Sequence, residues 1–215
     1  MLSHSWTYQS LVHDVLKMKL NRITVESPID EENPAKGTTK KAYDLNSNDF
    51  FWMKNASLPF PQVAEDIDAE LSRYKDDANE VTKKTGASSI EDLQETSQSA
   101  LHLKAAITLL PELRERKAIL DMHMNILAGL LNGIKSRQLD SYFQMEENVM
   151  KQTKAQMLEV LTGQDKGNDP TDKLRLFIIW FLSTEQDVGR ADMEKFEEAL
   201  KAAGADTTSL AYVKQ

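Results

Sequence analysis

Near the start of the chain, apolar residues recur at helical spacing. In "WTYQSLVHDVLKMKL" (residues 6–20), Leu11, Val15 and Met18 align, with Val12 and Leu16 beside them, which predicts a helix. The period then changes. Ile23 alternates with Val25 in "NRITVES" and Tyr43 with Leu45 in "KKAYDLN", while the polar "PIDEENPAKGTT" between them holds two prolines and a glycine, so a small β-hairpin is expected. The irregular "NDFFWMKNASLPFPQ", rich in aromatics and proline, reads as the entry to a second unit, with a boundary near residue 46.

From Pro61 the helical period returns. Ala64, Ile67, Leu71, Tyr74, Ala78 and Val81 follow at steps of 3, 4, 3, 4 and 3, a heptad-like seam. Glu65, Asp68, Glu70, Arg73, Lys75 and Asp76 occupy the opposite face, open to water or a partner. Residues 82–99 break the pattern with Gly86, serines and threonines and suggest a mobile connection bearing an apolar patch at Ile90 and Leu93. A second seam follows through Leu113, Leu120, Met124, Leu127, Leu131 and Ile134, interrupted only by Arg116 where an apolar residue is expected. Two such seams predict a long antiparallel helical hairpin over about residues 61–140.

Length bears on that hairpin. A compact globule of 215 residues has a diameter of about 44 Å, whereas an unbroken helix from Gln98 to Asp140 would span about 65 Å. The helix must protrude or bend. Pro111 is where bending is least costly, because proline breaks a helix interior but is tolerated in a first turn. A static kink and a switch between bent and straight both satisfy this pattern.

A further helix is expected from Asp140 to Thr162. Asp169 as N-cap, Pro170 at the first position and Asp172 in the first turn begin another, "TDKLRLFIIWFLS", apolar almost all round and therefore central to a core. The last, amphipathic through Met193, Phe196 and Leu200, ends at Gly204. The fold class is mainly α with a small β-hairpin near the N-terminus.

Composition narrows the function classes. The chain carries 34 acidic and 26 basic residues, a net charge of -8, which disfavours nucleic acid or anionic membrane as the main partner. Cysteine is absent, which excludes disulfides, thiolate metal sites and a cysteine nucleophile. No signal segment is recognised, and the longest apolar run, "LFIIWFL", is far shorter than the roughly 20 residues of a spanning helix. His4, His13, His102 and His123 lie apart without zinc-helix spacing, and no Walker, GxSxG or GxGxxG motif occurs, so neither enzyme activity nor a cofactor is expected. Adjacent carboxylates such as Glu146 and Glu147 read as solvated surface. "LDMHMNIL", around His123, is either a methionine-rich stripe that accepts a helical partner or core filling.

Together, "SHSWTYQSLVHDVL", "NDFFW", "FPQVAEDIDAELSRYK", "LPELRERKAILDMHMNI", "SRQLDSYFQMEENVM" and "DKLRLFIIWFLS" resemble the SM family of syntaxin-binding SNARE-assembly chaperones, in its ER to Golgi, Sly-type branch. The resemblance implies that residues 1–45 are the end of the family's domain 2 and residues 46–215 its helical domain 3a. It implies a non-enzymatic template that aligns a syntaxin-type Qa-SNARE with an R-SNARE, a monomer without SNAREs, held in the cytoplasm at ER and Golgi membranes through them, without inserting directly into the membrane. Pro111 falls at the family's hinge position and Met124 at an apolar position implicated in R-SNARE binding. Leu113, Leu120, Met124 and Leu127 are then the expected apolar contacts, and Arg114, Arg116 and Lys117 the cations facing acidic SNARE surface. Ile90 and Leu93 could anchor a lid over the hairpin. The alternative is a helical scaffold or tether that self-associates through its heptad seams.

Overall fold

In the computed structural model, residues 3–28, 37–85, 108–163 and 169–213 are described. The chain divides into two compact units, one of residues 7–130 and one of residues 1–6 with 131–215. The boundary expected near residue 46 lies inside the first of these.

In the 7–130 unit, α1 (Tyr8–Val15) is shorter than expected. Lys17 takes a left-handed φ of 53° and Leu20 one of 57°, which stops the helix and turns the chain into β1. β1 (Arg22–Pro28) and β2 (Thr38–Asp44) form the expected antiparallel hairpin, with Ile23 opposite Tyr43 and Val25 opposite Lys41. Ile23 and Val25 are buried. α2 (Phe50–Asn55) starts at Asp49, whose carboxylate accepts the Trp52 N–H at 2.8 Å.

α3 (Phe60–Thr85) runs past the point where a connection was expected to begin at residue 82, its last turns held by the buried Val81. α4 spans Leu110–Arg137, with Pro111 exposed in its first turn, where a missing N–H costs no helical bond. Ile90, Leu93, Gly86 and His102 lie outside the described residues, and so does the proposed lid.

Gly129 sets how closely α4 approaches β1, since a Cβ there would meet Val25 Cγ1 at 3.1 Å and Leu16 Cδ2 at 3.6 Å. Gly129→Val is therefore expected to destabilise the protein by about 1–3 kcal/mol through overpacking, although glycine is the weaker helix former. Urea denaturation of the two proteins checks it.

In the other unit, the helix expected over Asp140–Thr162 is three pieces: α5 (Leu139–Glu147), a 3-10 turn (Val149–Lys151) and α6 (Lys154–Thr162). The break has a local cause. Thr153 and Gln156 form a capping box, with Thr153 N–H donating to Gln156 Oε1 at 2.9 Å, so a new helix starts there. α7 (Pro170–Ser183) begins as expected, Asp169 accepting the Thr171 and Asp172 N–H groups. Leu176, Phe177 and Trp180 carry its buried face, although Leu182 is exposed, so the helix is less enclosed than its composition suggested. α8 (Arg190–Ala202) packs Met193, Phe196 and Leu200 into the same core, Gly204 follows at φ 87°, and α9 (Leu210–Val213) closes the described chain.

Among the described residues no helix is long and apolar enough to cross a membrane.

Candidate helical docking surface

α3 and α4 meet antiparallel. One groove between them is lined by Phe50, Glu70, Arg116 and Ile119, and the next by Asp77, Val81, Leu109 and Leu113, so α4 runs backward as α3 runs forward. At the crossing, Arg116 Nη2 donates to Glu70 Oε2 at 3.1 Å and Nη1 to Asp77 Oδ2 at 2.7 Å. Glu70, expected on the solvent face of α3, is buried and also takes Arg73 at 2.9 Å and Lys54 of α2 at 3.6 Å. Arg116, expected to face acidic SNARE surface, is thus already engaged by carboxylates of its own hairpin.

Lower on α4, His123 is 0% exposed. Its Nε2 lies 2.7 Å from Asp49 Oδ2 and its Nδ1 2.7 Å from the Tyr8 hydroxyl. A carboxylate only accepts, so Nε2 donates to Asp49 and Nδ1 accepts from Tyr8. Burial first, and then the charge of Asp49, push the Tyr8 hydroxyl well above the usual phenol range, which keeps its donating proton in place. Phe51 packs on the imidazole at a ring separation of 4.7 Å. Of the two readings of "LDMHMNIL", His123 takes the core one.

Leu113, Leu120 and Leu127 are buried in this conformation, facing the interior rather than a partner. Met124, expected on the seam, is 43% exposed, and so is Leu131. Their places on the buried face belong to His123 and Leu130. The outward stripe of α4 comprises Arg114, Lys117, Asp121, Met124 and Ala128. Lys117 donates to Asp121 at 2.7 Å, one turn along. Met124 is then a large apolar side chain in a face otherwise made of charges and alanine, a geometry suited to an amphipathic helix with one apolar contact and charged flanks.

The polar partners of Arg116 and His123 were not foreseen. A signal was available, because 116 and 123 are one heptad apart and Glu70 and Asp77 are one heptad apart on the other helix.

Comparison with known proteins places this hairpin. Protein sly1 of Schizosaccharomyces pombe is 50% identical over 216 residues, which take in 100% of this chain and 33% of that protein. Sec1 family domain-containing protein 1 of Homo sapiens is 40% identical over 226 residues, covering 100% of this chain and 35% of its own length. The crystal structure of Sly1p in complex with an N-terminal peptide of Sed5p superposes with a TM-score of 0.73 at 35% identity, over 99% of this chain and 31% of that one. The SM protein Vps45 in complex with the Qa SNARE Tlg2 is alike in fold, with a TM-score of 0.68 at 19% identity, over 98% of this chain and 35% of that one. The chain thus spans about a third of the length of these relatives. Because the family's sequence model matches it from residue 1 to residue 215, the chain belongs to the Sec1 family.

Proposed function

We propose that this chain is the SNARE-binding helical part of a Sec1-family protein, which aligns a syntaxin-type Qa-SNARE and an R-SNARE for vesicle fusion between ER and Golgi. In this reading it is non-enzymatic, monomeric without SNAREs, and held in the cytoplasm at those membranes through its partners rather than by insertion. The observation that carries the reading is the outward stripe of α4, with Met124 exposed between Lys117 and Ala128. Likeness to a protein solved with a Sed5p peptide supports the Qa-SNARE part. Pro111, in the first turn of α4, is the proposed hinge, and Arg114 and Lys117 are the exposed cations that face an acidic helix in this reading, Lys117 with Asp121 already at 2.7 Å. The tether reading loses ground because Leu113, Leu120 and Leu127 are buried, which leaves little seam for self-association.

Calorimetry with an ER to Golgi R-SNARE peptide tests the proposal. Met124→Glu should weaken binding at least about ten-fold, roughly 1.4 kcal/mol, and Pro111→Ala should tighten it if straightening α4 exposes more of the stripe. Equal affinity of Met124→Glu and the parent would remove Met124 from the site.

A further inference from the structure

Two helical seams of almost equal quality run along α4. They share Leu113, Leu120 and Leu127. One adds Arg116, His123 and Leu130, the other Lys117, Met124 and Leu131. Each alternative differs by a single residue, so the two settings are related by a rotation of α4 of about 50° about its own axis. Within the seam itself apolar content favours the second, because it would bury Met124 in place of His123 while the 130/131 exchange is leucine for leucine. Ile119 and the fully buried Ile126, by contrast, flank the first and would turn outward in the second. The structure adopts the first, with His123 and Leu130 fully buried and Met124 exposed.

Ile126 therefore weighs for the first setting, and at the seam positions, where apolar content points the other way, polar groups decide. Turning Met124 inward would set a thioether against Asp49 Oδ2 and the Tyr8 hydroxyl, leaving two buried polar atoms without the imidazole that now joins them at 2.7 Å each. It would also withdraw Arg116 from Glu70 and Asp77, and Lys117, with a single ammonium, cannot reproduce a guanidinium fork that bridges both. A buried polar side chain in a heptad seam is a recognised means of fixing helix register at some expense of stability.

We infer that His123, with Arg116 in support, sets the rotational register of α4 and so determines that Met124 is displayed rather than buried. This register does not depend on any partner. Only its consequence for affinity rests on the SNARE reading.

The absence of cysteine makes the register measurable. Single thiols are introduced as Met124→Cys or Leu130→Cys, and their alkylation rates compared. In the parent, Met124→Cys should react at least about ten times faster than Leu130→Cys, in line with exposure against burial. In a background of Tyr8→Phe, Asp49→Ser and Arg116→Gln, which removes the partners of His123 and the guanidinium fork, leaves the first seam polar and leaves Glu70 paired with Arg73 and Lys54, the two rates should converge. Unchanged rates in a folded variant would overturn the inference and assign the register to another contact, such as Gly129 against Val25. Should that background not fold, Tyr8→Phe with Asp49→Ser is read in the same way.

Calorimetry with the R-SNARE peptide separates the two claims. If the parent binds, the altered background should lose affinity at least about ten-fold although none of its substitutions lies on the outward stripe. If the parent does not bind, the SNARE reading fails while converging thiol rates still establish the register.

Discussion

Trp180→Ala should destabilise the unit built from residues 131–215 by about 3–5 kcal/mol, the usual range for emptying a large aromatic site in a core. Trp180 is among the largest fully buried side chains of the protein. It meets Phe196 edge-on at a ring separation of 5.3 Å and Phe177 at 6.0 Å, joining α7 to α8. Its indole Nε1–H also donates to the carbonyl of Gln152 at 3.0 Å, in the bend between the 3-10 turn and α6. That carbonyl keeps a second donor, Gln186 Nε2 at 2.8 Å, so the loss on truncation comes mainly from the cavity rather than from an orphaned acceptor. Trp180→Phe should cost less, because it retains much of the packing and forfeits the indole N–H. Urea titration followed by far-UV circular dichroism separates the two variants. A loss below about 1 kcal/mol for alanine would mean that the core collapses around the site.

The elements that were legible in the sequence were those whose signals are local. Asp169, Pro170 and Asp172 announced α7, the alternation of Ile23 with Val25 announced β1, and Met193, Phe196 and Leu200 announced the inner face of α8. Failures arose where a long-range contact decided between locally equivalent choices. On α4, Leu130 and Leu131 are alike to a periodicity count, and Met124 is a better seam residue than His123. Asp49 and Tyr8, distant in sequence, reverse that order, and the fully buried Ile126 turns the helix the same way. Glu70 likewise looked like solvent-facing surface until Arg116 met it from the other helix. The break before α6 was different, since the Thr153 to Gln156 capping signature is local and lay in plain view inside an otherwise helical pattern. Sidedness of the docking surface was thus the least readable property, because it depends on paired polar groups as well as on apolar surface.

Asp172→Ala should destabilise the same unit by about 3–5 kcal/mol, because it removes the fully buried carboxylate that buried His4 and half-buried Arg137 share. Asp172 is fully buried, and its carboxylate receives His4 Nε2 at 3.0 Å, Arg137 Nη2 at 2.6 Å and Arg137 Nε at 2.9 Å. His4 Nδ1 faces Glu146 Oε1 at 2.5 Å, so Glu146 is a buried partner rather than solvated surface. With carboxylates on both ring nitrogens, the geometry suits an imidazolium, which alone can donate from both. Burial opposes that charge, but the hydrogen bonds that His4 donates to Asp172 and Glu146, with the charge of Glu146, outweigh burial and the opposing Arg175, and the His4 pKa is raised above 6.5. Burial likewise opposes the Asp172 carboxylate, yet His4 and Arg137 hold its pKa down at about 2 against an ordinary 3.8. The linkage has opposite signs for the two groups. The His4 contribution is complete below 6.5 and is lost as pH rises through its folded pKa, whereas the Asp172 contribution is complete above 3.8 and is lost as pH falls toward about 2. Stability from this cluster should therefore be greatest between those limits and fall on both sides. Asp172→Asn, which keeps the shape without the charge, should flatten the acid limb, and His4→Gln the alkaline one. Urea midpoints measured from about pH 2 to pH 9 read both limbs, and an alkaline limb unchanged in His4→Gln would mean that His4 is not the imidazolium the geometry requires.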